Sequence, residues 1–119
     1  MKKQKAEKKL YCSDIIIPVR DTLYVINGKW KMPIIGTLIQ GSKRFKELER
    51  SIQKITPRML SKELRELEMN QLIVRKVYNT LPVIVEYEIT KYGLSLKKVF
   101  EAMYEWGIAH RKRIIGKKQ

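Results

Sequence analysis

The hydrophobic period of this chain changes twice, and that change limits the folds open to it. Up to about residue 72 apolar side chains recur at helical spacing. Ile73–Tyr78 and residues 85–89 then form β-rich runs, the second alternating Val85, Tyr87 and Ile89 with Glu86 and Glu88. Residues 79–84, with Pro82, join them as a hairpin loop. Beyond Thr90, a helix N-cap, helical spacing returns through Leu96, Val99, Phe100, Met103 and Trp106. With 119 residues, 44% of them hydrophobic, the chain is one domain with a single core.

The helices ahead of the hairpin are marked by their punctuation. Pro18 is expected in the first turn of a helix with Val19, Leu23 and Ile26 as its stripe, ended by Asn27-Gly28. Pro33 opens a second, with Ile34, Ile35, Leu38 and Ile39 on one side and a stop near Gly41. Phe45, Leu48 and Ile52 mark a third over residues 44–52. Thr56-Pro57 starts the fourth, which runs to about Asn70: a Thr N-cap, then a proline whose missing N–H is not needed there. Leu60, Leu64 and Leu67 form its core stripe, and Arg58, Ser61, Lys62 and Arg65 fall in one arc on the opposite side. Helices, a hairpin and a last helix in this order make a mostly α fold with a small β-hairpin, the winged helix-turn-helix.

Charge supports a polyanionic partner and locates it. Lys and Arg number 26 against 12 Asp and Glu, a net charge of +14. Residues 1–9, read as a flexible basic arm, carry +4, and residues 110–119, read as a basic tail, carry +5. The surplus of the intervening domain, residues 10–109, is +5 and lies wholly within residues 43–65. Those residues would be the bracing helix, the turn and the recognition helix of a helix-turn-helix. Arg58, Ser61, Lys62 and Arg65 can reach base edges or phosphates, and arginine bidentate to guanine is the most specific option. Lys43, Arg44 and Lys46, where the chain enters the bracing helix, suit phosphates, and Thr56 at the start of the recognition helix is also expected at the DNA. The plainer reading is a solvated charged face, but stripe, cap, turn spacing and hairpin coincide here.

Other functions find less support. The longest purely apolar run spans five residues, too few for a membrane span, and Asp14 interrupts the stretch behind the Lys-rich start that a secretory signal would need. An intracellular, cytoplasmic protein is expected. One cysteine and one histidine, His110, leave no metal site or cofactor to expect, and there is no Walker, dinucleotide or nucleophile-elbow pattern. Asp14 with Asp21, or Glu86 with Glu88, could be offered as catalytic carboxylate pairs. The latter two alternate with apolar positions and should face solvent together. No enzyme is expected. Phe100, Met103, Tyr104 and Trp106 could line an effector pocket, but a last helix has no later element to cover it, so a dimer seam with Leu96 and Val99 is the better reading.

The residues also resemble a known family, the HxlR-type transcriptional regulators, relatives of the MarR group. The resemblance spans roughly residues 17–107. It rests on Ile26-Asn27-Gly28-Lys29-Trp30, Arg44-Phe45-Lys46-Glu47-Leu48 and Ile55-Thr56-Pro57-Arg58-Met59-Leu60, continuing to Leu64-Arg65-Glu66-Leu67-Glu68. Val77-Tyr78, Pro82, Val85-Glu86-Tyr87, Thr90 and Gly93 extend it. The resemblance implies a homodimer on two-fold-related double-stranded DNA, with dimer contacts from the first helix, through Leu23, and from the last. An unknown small-molecule or redox effector is a further expected partner. Many members carry a cysteine directly before a Pro-Val pair. Here Ile17 precedes Pro18-Val19 and the only thiol is Cys12, so a thiol switch does not carry over by position. Cys12 lies near Lys8 and Lys9 and is a redox candidate, with a passive thiol as the plainer reading. The family often has a basic wing, whereas residues 79–84 carry no charge, which leaves Arg75 and Lys76 as the nearest phosphate contacts. Two alternatives to a sequence-specific regulator remain: a non-specific architectural or RNA-binding protein on the same fold, and a protein-interaction adaptor.

Overall fold

The computed structural model describes residues 13–116. In chain order they form helices α1 (Ser13–Ile26), α2 (Lys31–Ile39), α3 (Phe45–Ser51) and α4 (Pro57–Met69), strands β1 (Ile73–Tyr78) and β2 (Ile84–Ile89), then α5 (Lys91–Leu94) and α6 (Lys97–Gly116). This is the winged helix-turn-helix order read from the sequence. The basic arm and Cys12 lie outside the described residues.

Each boundary has a local cause. Gly28, at φ +85°, takes the left-handed conformation that turns the chain out of α1. Glu47 at the third position of α3 accepts from the Arg44 backbone N–H at 2.9 Å, one half of a capping box. The Thr56 hydroxyl accepts from the Met59 N–H at 3.2 Å, as an N-cap should. At its far end α4 closes with Leu72 N–H on Leu67 O at 3.0 Å and Gln71 N–H on Glu68 O at 2.9 Å, with Gln71 left-handed at φ 64°. That is a Schellman closure, here with glutamine in the place glycine usually takes.

The strands pair antiparallel from Ile73↔Ile89 to Tyr78↔Ile84, so β2 starts one residue earlier than the alternation suggested. Lys43 adds a bridge at the edge: its N–H donates to Tyr87 O at 3.0 Å and its carbonyl accepts from Tyr87 N–H at 2.7 Å. The segment entering the bracing helix is thus tied to the wing by backbone. The core is the apolar stripes of the four elements meeting at once: Ile34, Ile35 and Leu38 from α2, Leu48 from α3, Leu60, Leu64 and Leu67 from α4, and Ile73 from β1.

Three expectations are corrected. Pro18 lies six residues into α1 rather than in its first turn. The helix tolerates it although proline cannot bond the Asp14 carbonyl. The last helix is two helices. Thr90 caps only the four-residue α5, its hydroxyl accepting from Gly93 N–H at 2.9 Å while donating to Gln71 O at 2.8 Å. The chain then breaks at Ser95 and Leu96 before α6 begins. A Cβ at Gly93 would stand 2.2 Å from the Leu72 carbonyl oxygen, so only glycine permits this close approach. Finally, residues 110–116 are not a tail but the last two turns of α6. Arg111, Lys112 and Arg113 are therefore fixed at a helix C-terminus, where positive charge is favoured.

Candidate nucleic-acid interface

The two faces of α4 separate cleanly. Leu60, Leu64 and Leu67 are buried, and Arg58, Ser61, Lys62 and Arg65 are exposed. Together with Met59 these four line one shallow depression on the outer surface of the helix. Arg58 sits one residue after Pro57, at the end of α4 that a recognition helix presents to base edges. At about 1.5 Å per residue, Arg58 and Arg65 lie roughly 10 Å apart along the axis, a spacing that reaches several base steps.

The second group of bases borders the wing. Arg44, Lys46 and Arg50 line a groove whose other wall is Val83, Val85 and Glu86 of the hairpin. Among the described residues, none of Arg44, Lys46, Arg50, Arg58, Lys62 or Arg65 is in an ion pair. These cations are unneutralised by the protein itself, as phosphate contacts require. Lys43 is half-buried and held by its backbone bridge to Tyr87. Thr56 contributes its hydroxyl to the helix cap, so its part is to fix the start of α4.

The wing offers less charge than its sequence suggests. Lys76 is ion-paired with Glu88 on the neighbouring strand and sits opposite Glu86. The hydrogen bond it donates to Glu88 holds its pKa above the ordinary lysine value. Arg75, opposite Tyr87, is exposed and outside any ion pair among the described residues. The tip itself is apolar: Leu81 is 100% exposed, and Val83 is exposed beside it.

One group escaped the sequence reading altogether. Lys31, in the first turn of α2, is 5% exposed and is the only buried charged residue among the described residues. Its Nζ donates to Glu63 Oε2 at 2.7 Å, to Glu66 Oε2, and to Asn27 Oδ1 at 3.4 Å. Burial works against its charge, but the hydrogen bonds to Glu63 and Glu66 prevail and hold its pKa above the ordinary value. Glu66 is held below the usual carboxylate range by its bond from Lys31, with Lys62 adding to the effect. The signal lay in a lysine set among Trp30, Met32, Pro33 and Ile34, but its partners are 32 and 35 residues away.

The expected dimer residues divide. Leu23, Met103 and Trp106 are 56%, 43% and 69% exposed. Trp106 stacks on His110 with ring centroids 4.9 Å apart. Leu96 and Phe100 are half-buried against the protomer's own core, and Val99 is half-buried too. No residue of α6 is buried, and Ile108, Ile114 and Ile115 continue its exposed apolar surface. Among the described residues no three His, Cys, Asp or Glu lie together to hold a metal ion. No helix of the described residues is long and apolar enough to cross a membrane.

Comparison with known proteins agrees with this geometry. A family model described as HxlR-like helix-turn-helix matches residues 25–114. YtcD of Bacillus subtilis, an uncharacterized HTH-type transcriptional regulator, is 46% identical over 110 residues, covering 92% of this chain and 84% of its own. The structure of the redox regulator HypR in its reduced form superposes with a TM-score of 0.77 at 42% identity, over 83% of this chain and 98% of that one. The reduced form of the transcriptional regulator YodB from B. subtilis superposes with a TM-score of 0.70 at 35% identity, over 80% and 89%. With its basic α4, its bracing α3 and its hairpin in the same order, the chain belongs to the HxlR-like helix-turn-helix family of transcriptional regulators.

Proposed function

We propose that the protein is a homodimer that reads a two-fold-related operator, with one α4 from each protomer in successive major grooves. The observation that carries this is the outer face of α4, where Arg58, Ser61, Lys62 and Arg65 converge and no acidic side chain pairs with a cation. In this reading Arg58 and Arg65 read bases, Ser61 and Lys62 support them, and Arg44, Lys46 and Arg50 grip phosphates on the flank. Lys43 and Thr56 set the geometry of the two helices. Arg75 is the wing's phosphate contact, and Lys76 is discounted because Glu88 holds it.

Dimerisation is supported by what α1 and α6 leave uncovered. Ile16, Ile17, Val19, Leu23 and Tyr24 of α1 and Met103, Tyr104, Trp106 and Ile108 of α6 are all exposed. Apolar surface of that extent on a monomer marks an interface. Leu96 and Phe100 then anchor the base of α6 to the core rather than forming the centre of the seam. Half-sites would lie about one helical turn, roughly 10 bp, apart. An effector that acts on thiols fits the redox regulator among the structural relatives, and Cys12 is the only thiol through which it could act.

The test is enrichment of bound fragments from genomic DNA of the source, followed by titration of one enriched fragment and its scrambled version at near-physiological salt. A preference of about a thousandfold or more for the enriched fragment is expected of a specific reader. Equal affinity for the two duplexes would reduce the protein to a charged platform.

A further inference from the structure

The stripe that seats α4 on the body is apolar, and apolar contact is non-directional. Leu60, Leu64 and Leu67 hold the helix against the core and set which face turns inward, while the fine rotation within that arc also depends on contacts along its flank. A rotation of one residue, about 100°, would exchange the side chains facing outward, and far smaller rotations move an arginine off a base edge. Hydrogen bonds are directional. The polar side-chain bonds between α4 and the helices before it all run to one atom, Lys31 Nζ.

Glu63 and Glu66 lie three residues apart, on the flank of α4 between its buried and its basic arcs. Lys31 bonds both from α2, and the same ammonium reaches Asn27, the residue just after α1. Glu63 is itself nearly buried, its side chain 12% exposed, so its charge has little water to fall back on. The bracket thus joins three elements at a point: the end of a helix with an uncovered apolar face, the start of α2, and the helix that carries the candidate base-reading residues. Resting on the DNA-binding reading above, we propose that Lys31 is a positioning residue for base recognition, which fixes the rotation of α4 and links it to the end of α1.

Lys31→Met removes the charge and keeps the length of the side chain, and the triple variant K31M/E63L/E66L removes the whole ionic group. Breaking one side of a buried pair leaves uncompensated charge, whereas replacing the whole group with apolar residues often restores stability. The triple variant should therefore melt near wild type. Thermal unfolding is followed by circular dichroism, and binding is titrated on the enriched fragment and on its scrambled version.

If Lys31 positions α4, the triple variant recovers its melting temperature yet keeps a loss of at least tenfold in preference for the enriched fragment. Affinity for scrambled DNA and the slope of affinity against salt stay as in wild type, because Arg58, Lys62 and Arg65 remain. Glu66→Gln, at a half-exposed carboxylate whose loss should leave the fold intact, is expected to show a smaller loss of the same kind. A triple variant that regains full preference along with its melting temperature would show that the bracket only stabilises, and the proposal would fall. E66Q with unchanged preference beside an impaired triple variant would move the positioning role to Glu63 alone and overturn the two-carboxylate bracket. Wild-type protein that discriminates no fragment would instead bring down the DNA reading itself, an outcome visible before any variant is measured.

Discussion

Gly93→Ala should be among the most damaging single-methyl changes this fold can receive. The added Cβ would stand 2.2 Å from Leu72 O, 2.8 Å from Ile89 Cγ1 and 3.1 Å from the Leu72 carbonyl carbon. A relaxed carbon–oxygen contact needs about 3.3 Å, so helix or carbonyl must shift by about 1 Å. That carbonyl is also an anchor, accepting from the Thr90 N–H at 3.0 Å and sharing the Thr90 hydroxyl proton, at 3.0 Å, with Gln71 O. Overpacking of this kind costs about 1–3 kcal/mol. Loss of one of the two hydrogen bonds adds about 1 kcal/mol. A total of about 2–4 kcal/mol follows. At about 4 °C per kcal/mol for a domain of this size, the melting temperature should drop by roughly 8–16 °C. The assay is a circular-dichroism melt at fixed protein concentration, since the midpoint of the proposed dimer would depend on it. Gly36→Ala is the control: nothing lies within 4 Å of its added Cβ, and alanine should stabilise a helix interior by about 0.5–1 kcal/mol. A G93A midpoint within about 2 °C of wild type would refute the close approach and with it the placement of α5.

Other outcomes follow from named contacts. Thr56→Ala removes the acceptor for Met59 N–H and should cost about 1 kcal/mol, read as a lowered urea midpoint with unchanged slope. Trp106→Asp or Met103→Asp, both at exposed positions of α6, should leave the fold intact and shift sedimentation from dimer to monomer; an unchanged dimer would move the seam elsewhere. The Lys31 group also sets a pH dependence. Because Glu66 is lowered from 4.5, its stabilisation is complete above that ordinary value and is lost as pH falls through the lower native one. Because Lys31 is raised from 10.5, its share is complete below that value and is lost as pH climbs past it. Urea midpoints at acid and alkaline pH should show both losses, and K31M should flatten them.

The local signals were readable in the sequence because their causes are local. Thr56 and Pro57 sit beside the turn they cap, and Tyr87 and Ile89 alternate with the glutamates because they pack on the core. What was hidden depends on distant partners. Lys31 reads as one more surface lysine until the fold brings Glu63 and Glu66 to it. Lys76 reads as a free cation until strand register sets Glu88 beside it. The end of α5 depends on Gly93 lying against Leu72, which no periodicity reports. Residues 110–116 read as a tail because charge dominated the view, although Ile108, Ile114 and Ile115 supply a helical apolar surface that only the full length of α6 displays.

That extension changes what the net charge means. Arg111, Lys112 and Arg113 are held at the end of a 20-residue helix, so in the proposed dimer their position relative to DNA would depend on how two copies of α6 pack. Specificity, by contrast, rests on α4 in the proposed reading. The most direct test measures wild type, Arg58→Ala and Arg65→Ala on one enriched genomic fragment and on its scrambled version, at about 0.15 M monovalent salt. Each substitution is expected to weaken binding to the enriched fragment by about 1–3 kcal/mol more than binding to the scrambled one. Equal losses on both duplexes would make these residues phosphate contacts and contradict the assignment of base reading to the outer face of α4.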